Sequence, residues 1–237
     1  MIDFLLRHQE ELRVETGSSW LDDDSIKAII QEMVGAGSIT TRGALYSFFL
    51  IIVHKPEVAR RIQDEIEAVV GSCRFPCLED RPNMPYTVAV VFELLRYISH
   101  VPIGVPRVTT TDVTFRGYII PEKTKVMANI WLIHHDDKIW DDPWEFKPQR
   151  FLNEEGNLLS ADHPNRKNLL PFGIGRRSCV GEAFAKSRMF LFITTLLQRF
   201  HFTRDPTKPL PSCDPRTYTG GLVFSPYPYY VTVTKRE

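Results

Sequence analysis

Apolar side chains recur at Ile26, Ile29, Ile30, Met33 and Val34, the spacing of one helix face. Ahead of them, Asp22-Asp23-Asp24-Ser25 supplies N-cap candidates and acidic groups suited to the positive end of a helix. The pattern runs to His54, just before Pro56, and predicts a helix of about 30 residues. At 1.5 Å per residue such a helix is roughly 45 Å long, enough to cross a whole domain, so it is expected to be central. Pro56 opens a second helix, Glu57 to Val70, which Gly71 ends. Residues 72–85 carry Pro76, Pro82 and Pro85 and read as loop. A third helix, Thr87 to Ser99, is apolar almost all round, which predicts burial. Residues 1–17 read as the end of a helix and a polar loop. From Val101 to Asn129, Pro102, Pro106, Gly117 and Pro121 punctuate β-branched runs such as Val108-Thr109-Thr110 and Lys125-Val126-Met127, predicting short strands and turns. Residues 134–176 read as an irregular stretch anchored by Trp140, Pro143, Trp144, Phe146 and Pro148, and an irregular stretch this long is usually functional. A further helix is expected from Gly181 to about Phe200, followed by short strands and turns over 201–237. The fold class is therefore mainly α with small β-sheets.

Composition narrows the function. The chain has 237 residues, 43% hydrophobic and 24% charged, sufficient for one core or two small ones. Lys+Arg and Asp+Glu both count 29, and a chain with zero net charge is not expected to be a general binder of nucleic acid or anionic membrane. Four cysteines, Cys73, Cys77, Cys179 and Cys213, are too few and too scattered for a disulfide scaffold. The first residues lack the charged-then-apolar pattern of a signal peptide. The run Ala44 to Val53 is broken by Ser47 and is too short to cross a bilayer, so no anchor or signal is expected in this chain.

Several segments carry candidate chemistry. Residues 172–181 read Phe-Gly-Ile-Gly-Arg-Arg-Ser-Cys-Val-Gly, just before a predicted helix. Glycines let backbone N–H groups turn toward the sulfur, the helix start favours negative charge, and Arg176 and Arg177 add positive charge, so the segment suits a thiolate at Cys179. A buried free cysteine at a glycine turn fits the residues equally well. Glu93 and Arg96 share a helix face at i and i+3. Their apolar neighbours Val90, Val91, Phe92, Leu94, Leu95, Tyr97 and Ile98 point to a buried ion pair rather than a surface one. On the long helix, Ala36, Gly37, Thr40, Gly43 and Ala44 form a small-residue stripe, open to something flat or bulky or to another helix. The Thr40 hydroxyl can bond the carbonyl of Ala36 and bend the helix there. His134-His135-Asp136-Asp137 are metal-ligand types, but neighbours on an extended segment point to opposite sides. Cys73 and Cys77 lack a second ligand pair. Lys186, Arg188 and Arg176 near the cysteine helix suit either an acidic electron donor or plain solubility.

Phe172, Gly175, Arg177, Cys179 and Gly181 fill every fixed place of the pattern Phe-x-x-Gly-x-Arg-x-Cys-x-Gly. Glu93-x-x-Arg96 and Pro148-Gln149-Arg150-Phe151 match the patterns Glu-x-x-Arg and Pro-x-Arg-Phe. In these motifs the chain resembles the cytochrome P-450 superfamily of haem-thiolate monooxygenases, of the microsomal, drug- and steroid-metabolising type. The resemblance covers essentially all of residues 1–237 and corresponds to the C-terminal half of that fold, with the N-terminal half and the membrane anchor outside it. It implies haem b with Cys179 as axial ligand to the iron, Phe172 beside the sulfur, and Arg107 and Arg177 on the haem propionates. It also implies a structural Glu93–Arg96–Arg150 network and Thr40 as the oxygen-activating threonine. Ile39 stands where the family usually places a carboxylate. Ala36, Val105, Leu222 and Val223 fall in the family's substrate-contacting regions. The implied reaction inserts one atom of dioxygen into a small lipophilic substrate such as a steroid or xenobiotic. Electrons would come from NADPH through the NADPH–cytochrome P-450 reductase, with cytochrome b5 as an alternative donor and no nucleic-acid partner. The full-length protein is expected at the endoplasmic reticulum membrane. The competing reading is a truncated, non-catalytic product or interaction module that binds haem poorly or not at all.

Overall fold

Residues 1–17 hold more helix than their sequence suggests. In the computed structural model, which describes residues 2–221 and 223–236, helix α1 runs Ile2–Thr16. Its composition explains the length: Leu, Gln, Glu and Arg are strong helix formers, Asp3 lies in the first turn and Arg13 in the last, each complementing the helix dipole. Gly17, at φ +73°, ends the helix and donates its N–H to the Arg13 carbonyl (3.0 Å). The chain divides into two compact units, residues 1–42 and 43–237, with the division falling inside helix α2, Asp23–His54. In the first unit Asp22 caps α2 by accepting the Ser25 N–H (2.7 Å), and the Gln9 amide donates to Asp23 (3.0 Å).

The second unit is built on the C-terminal part of α2, on α3 (Pro56–Val69) and on α4 (Pro85–Ile98). By length and composition α2 could cross a membrane. Here, however, Phe48, Leu50, Ile51 and Ile52 are at most 1% exposed, so protein covers that end of the helix. Pro56 sits at the start of α3, where its missing N–H is no loss, and Gly71 (φ +69°) closes the other end onto the Ile66 carbonyl. Every residue of α4 from Tyr86 to Ile98 is buried, as an all-round apolar helix requires.

A helix buried that deeply cannot leave its first N–H groups to water. Met84 offers no side-chain cap; instead Glu65 of α3 accepts the Tyr86 N–H (2.7 Å), the Thr87 N–H (2.8 Å) and the Thr87 hydroxyl (2.7 Å). Replacing Glu65 with alanine is expected to lower stability by about 2 kcal/mol, since it removes a charged cap and leaves buried donors unpaired. The check is the urea midpoint followed by circular dichroism; a change below about 0.5 kcal/mol would show the cap to be dispensable.

Short antiparallel pairs follow. β1 (Arg107–Val108) pairs with β4 (Lys125–Val126), and β2 (Val113–Phe115) with β3 (Tyr118–Ile120) across Arg116-Gly117. The segment with His134 and His135 is a short helix, α5 (Ile130–His135), not extended as expected. The Asn129 side chain nucleates it by accepting the Leu132 N–H (2.9 Å). The irregular stretch then holds a 3₁₀ turn at Pro148–Phe151 and the single-turn helix α6 (Pro164–Lys167). Helix α7 (Glu182–Arg199) packs on α3 and α4, with Met189, Phe190, Ile193 and Leu197 buried. Strand β5 (Phe200–Arg204) continues from it and pairs with β6 (Val231–Lys235) near the C-terminus. The architecture is mainly helical with small sheets.

Candidate functional site

The cysteine lies at the mouth of α7, on a turn made by glycine. Gly173 (φ +73°) and Gly175 (φ +75°) occupy the left-handed region that side chains avoid. They fold the chain so that the Cys179 N–H reaches the Phe172 carbonyl (2.8 Å) and the Ser178 N–H reaches that of Gly175 (3.0 Å). Gly181 caps α7, and a Cβ added there would meet the Cys179 Sγ at 3.7 Å, so the sulfur sits beside the helix start without crowding. Cys179 is exposed, not buried, which removes the reading of a core thiol. Phe172 is half-buried against the core, with the Lys186 ammonium 5.4 Å from its ring centre.

Arg107, far away in sequence, comes to the same turn. Its guanidinium donates to the Arg177 carbonyl (2.8 Å) from strand β1. The Arg107 guanidinium thus comes to the exposed turn that carries Arg177 and Cys179, in which Ile174 and Val180 are 73% and 91% exposed. A single soft sulfur ligand, two cations for carboxylates and bare apolar side chains match the chemistry of a haem with its two propionates. A Cβ added at Gly173 or Gly175 would have nothing within 4 Å, so the turn has free space around it. The donor set fits the group.

The buried ion pair is larger than a pair. Glu93 and Arg96 are both fully buried. Glu93 accepts from Arg96 Nε and Nη2 (2.8 Å each), from Arg150 Nε (3.1 Å) and from the Lys147 backbone N–H (2.8 Å). Arg96 sends further donors to the His134 carbonyl (2.7 Å) and the Glu145 carbonyl (3.3 Å). Arg150 donates to the carbonyls of Asp141 (2.9 Å) and Asp142 (3.3 Å). The network thus ties α4 to the irregular stretch through backbone carbonyls, which a motif cannot display.

His134 and His135 spend their ring nitrogens inside the protein. His134 pairs Nδ1 with the Ser99 hydroxyl (2.8 Å) and accepts the Leu170 N–H at Nε2 (2.9 Å). His135 faces the carbonyls of Trp131 (2.8 Å) and Tyr97 (3.1 Å) and stacks on Trp144 at 4.2 Å. Burial lowers both rings' pKa values, to about 3 for His134 and about 4 for His135. A third histidine, which no sequence motif marks, is His100: burial lowers it to about 4 against a smaller opposing pull from the Phe224 backbone, which stands too far or too bent to make a full hydrogen bond to either ring nitrogen. A Cβ on Gly43 would lie 2.2 Å from its ring, so the small-residue stripe admits a histidine side chain here.

The distal candidates stand as follows. On α2 the Thr40 hydroxyl donates to the Ala36 carbonyl (2.8 Å), the bond expected from their spacing, and Ile39 is 63% exposed. Val105 is exposed, Val223 is half-buried, and Leu222 lies outside the described residues.

Known proteins share this sequence pattern. The family model described as cytochrome P-450 matches residues 1–233. Human cytochrome P-450 2U1 is 36% identical over 237 residues, covering 99% of this chain and 42% of the relative. Rat cytochrome P-450 2C70 is 41% identical over 228 residues, 96% of this chain and 45% of the relative, and human cytochrome P-450 1B1 is 36% identical over 221 residues, 93% and 39%. The chain spans less than half the length of these relatives.

Proposed function

The chain belongs to the cytochrome P-450 family, and on that premise we propose that it is the haem-carrying C-terminal part of a haem-thiolate monooxygenase. The observation that carries the reading is the exposed Cys179 on its left-handed glycine turn, with Arg107 and Arg177 beside it. Haem b, when bound, supplies the oxygen chemistry, and a thiolate ligand favours O–O cleavage by pushing electron density to the iron. Cys179 would supply that thiolate to the iron, its turn held by the Cys179 N–H bond to Phe172 and shaped by the glycines at 175 and 181. Phe172 would shield the sulfur from water, and Arg107 and Arg177 would meet the propionates.

Thr40 would be the residue that holds a proton for the reaction: its hydroxyl donates to the Ala36 carbonyl, and its oxygen can still accept. The adjacent Ile39 cannot move protons, so the family's usual carboxylate relay has no counterpart at that position. By the family resemblance, Ala36, Val105 and Val223 are each candidates for contact with a small lipophilic substrate. Glu93, Arg96 and Arg150 hold the scaffold and take no part in the chemistry. In the full-length protein at the endoplasmic reticulum membrane, electrons would arrive from NADPH through the reductase, with cytochrome b5 as a second donor. The cofactor performs the hard chemistry while these side chains bind, orient and tune it.

The test is haem binding by cysteine variants. Cys179→Ala and Cys179→His are expected to lose any thiolate-ligated haem spectrum, whereas Cys73→Ala, Cys77→Ala and Cys213→Ala keep it. A thiolate spectrum surviving in Cys179→Ala would overturn the assignment.

A further inference from the structure

We propose that Arg107 is a positioning residue that holds the Cys179 turn in shape before any cofactor arrives. The turn from Gly173 to Val180 is exposed throughout and carries two left-handed glycines, so little packing restrains it. Its own bonds, Cys179 N–H to Phe172 and Ser178 N–H to Gly175, are local and span only a few residues. Local bonds of this kind, exposed to water, open easily. The Arg107 guanidinium bond is also exposed but is not local: it crosses from a strand 70 residues away to the Arg177 carbonyl (2.8 Å), between the two bonded amides and the glycine pair. β1 is itself fastened, since Arg107 pairs with Val126 and Val108 with Lys125 in β4. Thr109, next in the chain, adds a hydroxyl bond to the Pro121 carbonyl (2.7 Å). A short paired strand thus braces a weakly packed turn through one cationic donor.

Arginine suits this work because its fork has donors to spare. One Nη donates to the carbonyl, and the fork offers further N–H groups to a carboxylate. The residue that braces the turn can therefore exchange toward an incoming carboxylate by giving up a single carbonyl bond; that consequence rests on the haem reading above, while the bracing itself does not.

The test uses the haem-free chain and amide hydrogen exchange. Arg107→Gln is expected to speed exchange at the Ser178 and Cys179 amides roughly threefold, the low end of what one hydrogen bond contributes, since this one is exposed to water. Arg107→Lys, which keeps a cationic donor, restores part of that protection. Amides of α7 and of the β5–β6 pair stay within error. Unchanged exchange at Ser178 and Cys179 in Arg107→Gln would overturn the proposal, as would a uniform rise along the chain, which would mark a general loss of stability. Because no haem is present, this outcome is independent of whether Cys179 ligates iron.

Discussion

Glu93→Ala is expected to leave the chain largely unfolded in neutral buffer without denaturant. Glu93 is fully buried and answers two guanidinium groups and one backbone N–H at once. Removing it strands Arg96, which has no exposure, beside Arg150, whose side chain is 7% exposed. Breaking a buried pair by deleting one partner costs about 3–5 kcal/mol, and here two cations lose their partner, so about 5 kcal/mol is expected. That approaches the whole stability of an ordinary domain. Glu93→Gln keeps the volume and one acceptor oxygen but turns an NH₂ toward a guanidinium, so an intermediate loss is expected. Circular dichroism in buffer alone reads the Glu93→Ala chain, and urea unfolding reads Glu93→Gln. A Glu93→Ala chain within about 1 kcal/mol of the parent would mean that the network contributes nothing to folding.

Mild acid is expected to destabilise the protein by a comparable amount. His134, His135 and His100 have pKa values lowered by burial to about 3, 4 and 4, from an ordinary value of 6.5. Below about pH 6.5 the unfolded chain takes up protons at these rings while the folded chain does not, so stability falls as pH falls. Between about pH 7.5 and 5 each ring contributes a loss of about 2 kcal/mol, about 6 kcal/mol together. The loss sets in below the unfolded pKa and levels off only near the folded values. Urea midpoints at the two pH values test the sum. His100 separates the causes, because its ring nitrogens have no partner among the described residues. His100→Leu is expected to raise stability at neutral pH by about 1 kcal/mol, by removing unsatisfied buried groups, and to cut the acid loss by about a third. A stability that stays flat over the same pH range would contradict the burial of these rings.

Local pattern explains how much of this is legible in the chain itself. The long helix, the helix after Pro56 and the buried α4 follow from spacing, proline and glycine, and each stands within a few residues of its expected ends. The glycine turn at Cys179 is equally legible, because a left-handed backbone demands glycine. Pairings across sequence distance are not. Glu65 caps α4 from 21 residues away, and Arg107 reaches Arg177 across 70. Neither leaves a periodicity, since a single carboxylate or guanidinium looks the same in solvent as in a cap. His134 and His135 read as an extended pair because a one-turn helix nucleated by Asn129 is too short to show a repeat. The extent of α1 is hidden because its exposed apolar residues, Phe4, Leu6 and Val14, blur the amphipathic signal.

The reduced, carbon-monoxide difference spectrum of the 237-residue chain, reconstituted with haem, tests the central claim most directly. A Soret band strongly shifted to the red, as a thiolate opposite carbon monoxide produces, is the predicted result. A band typical of imidazole-ligated or free haem, or none, would contradict the claim that this chain itself builds the haem-thiolate site.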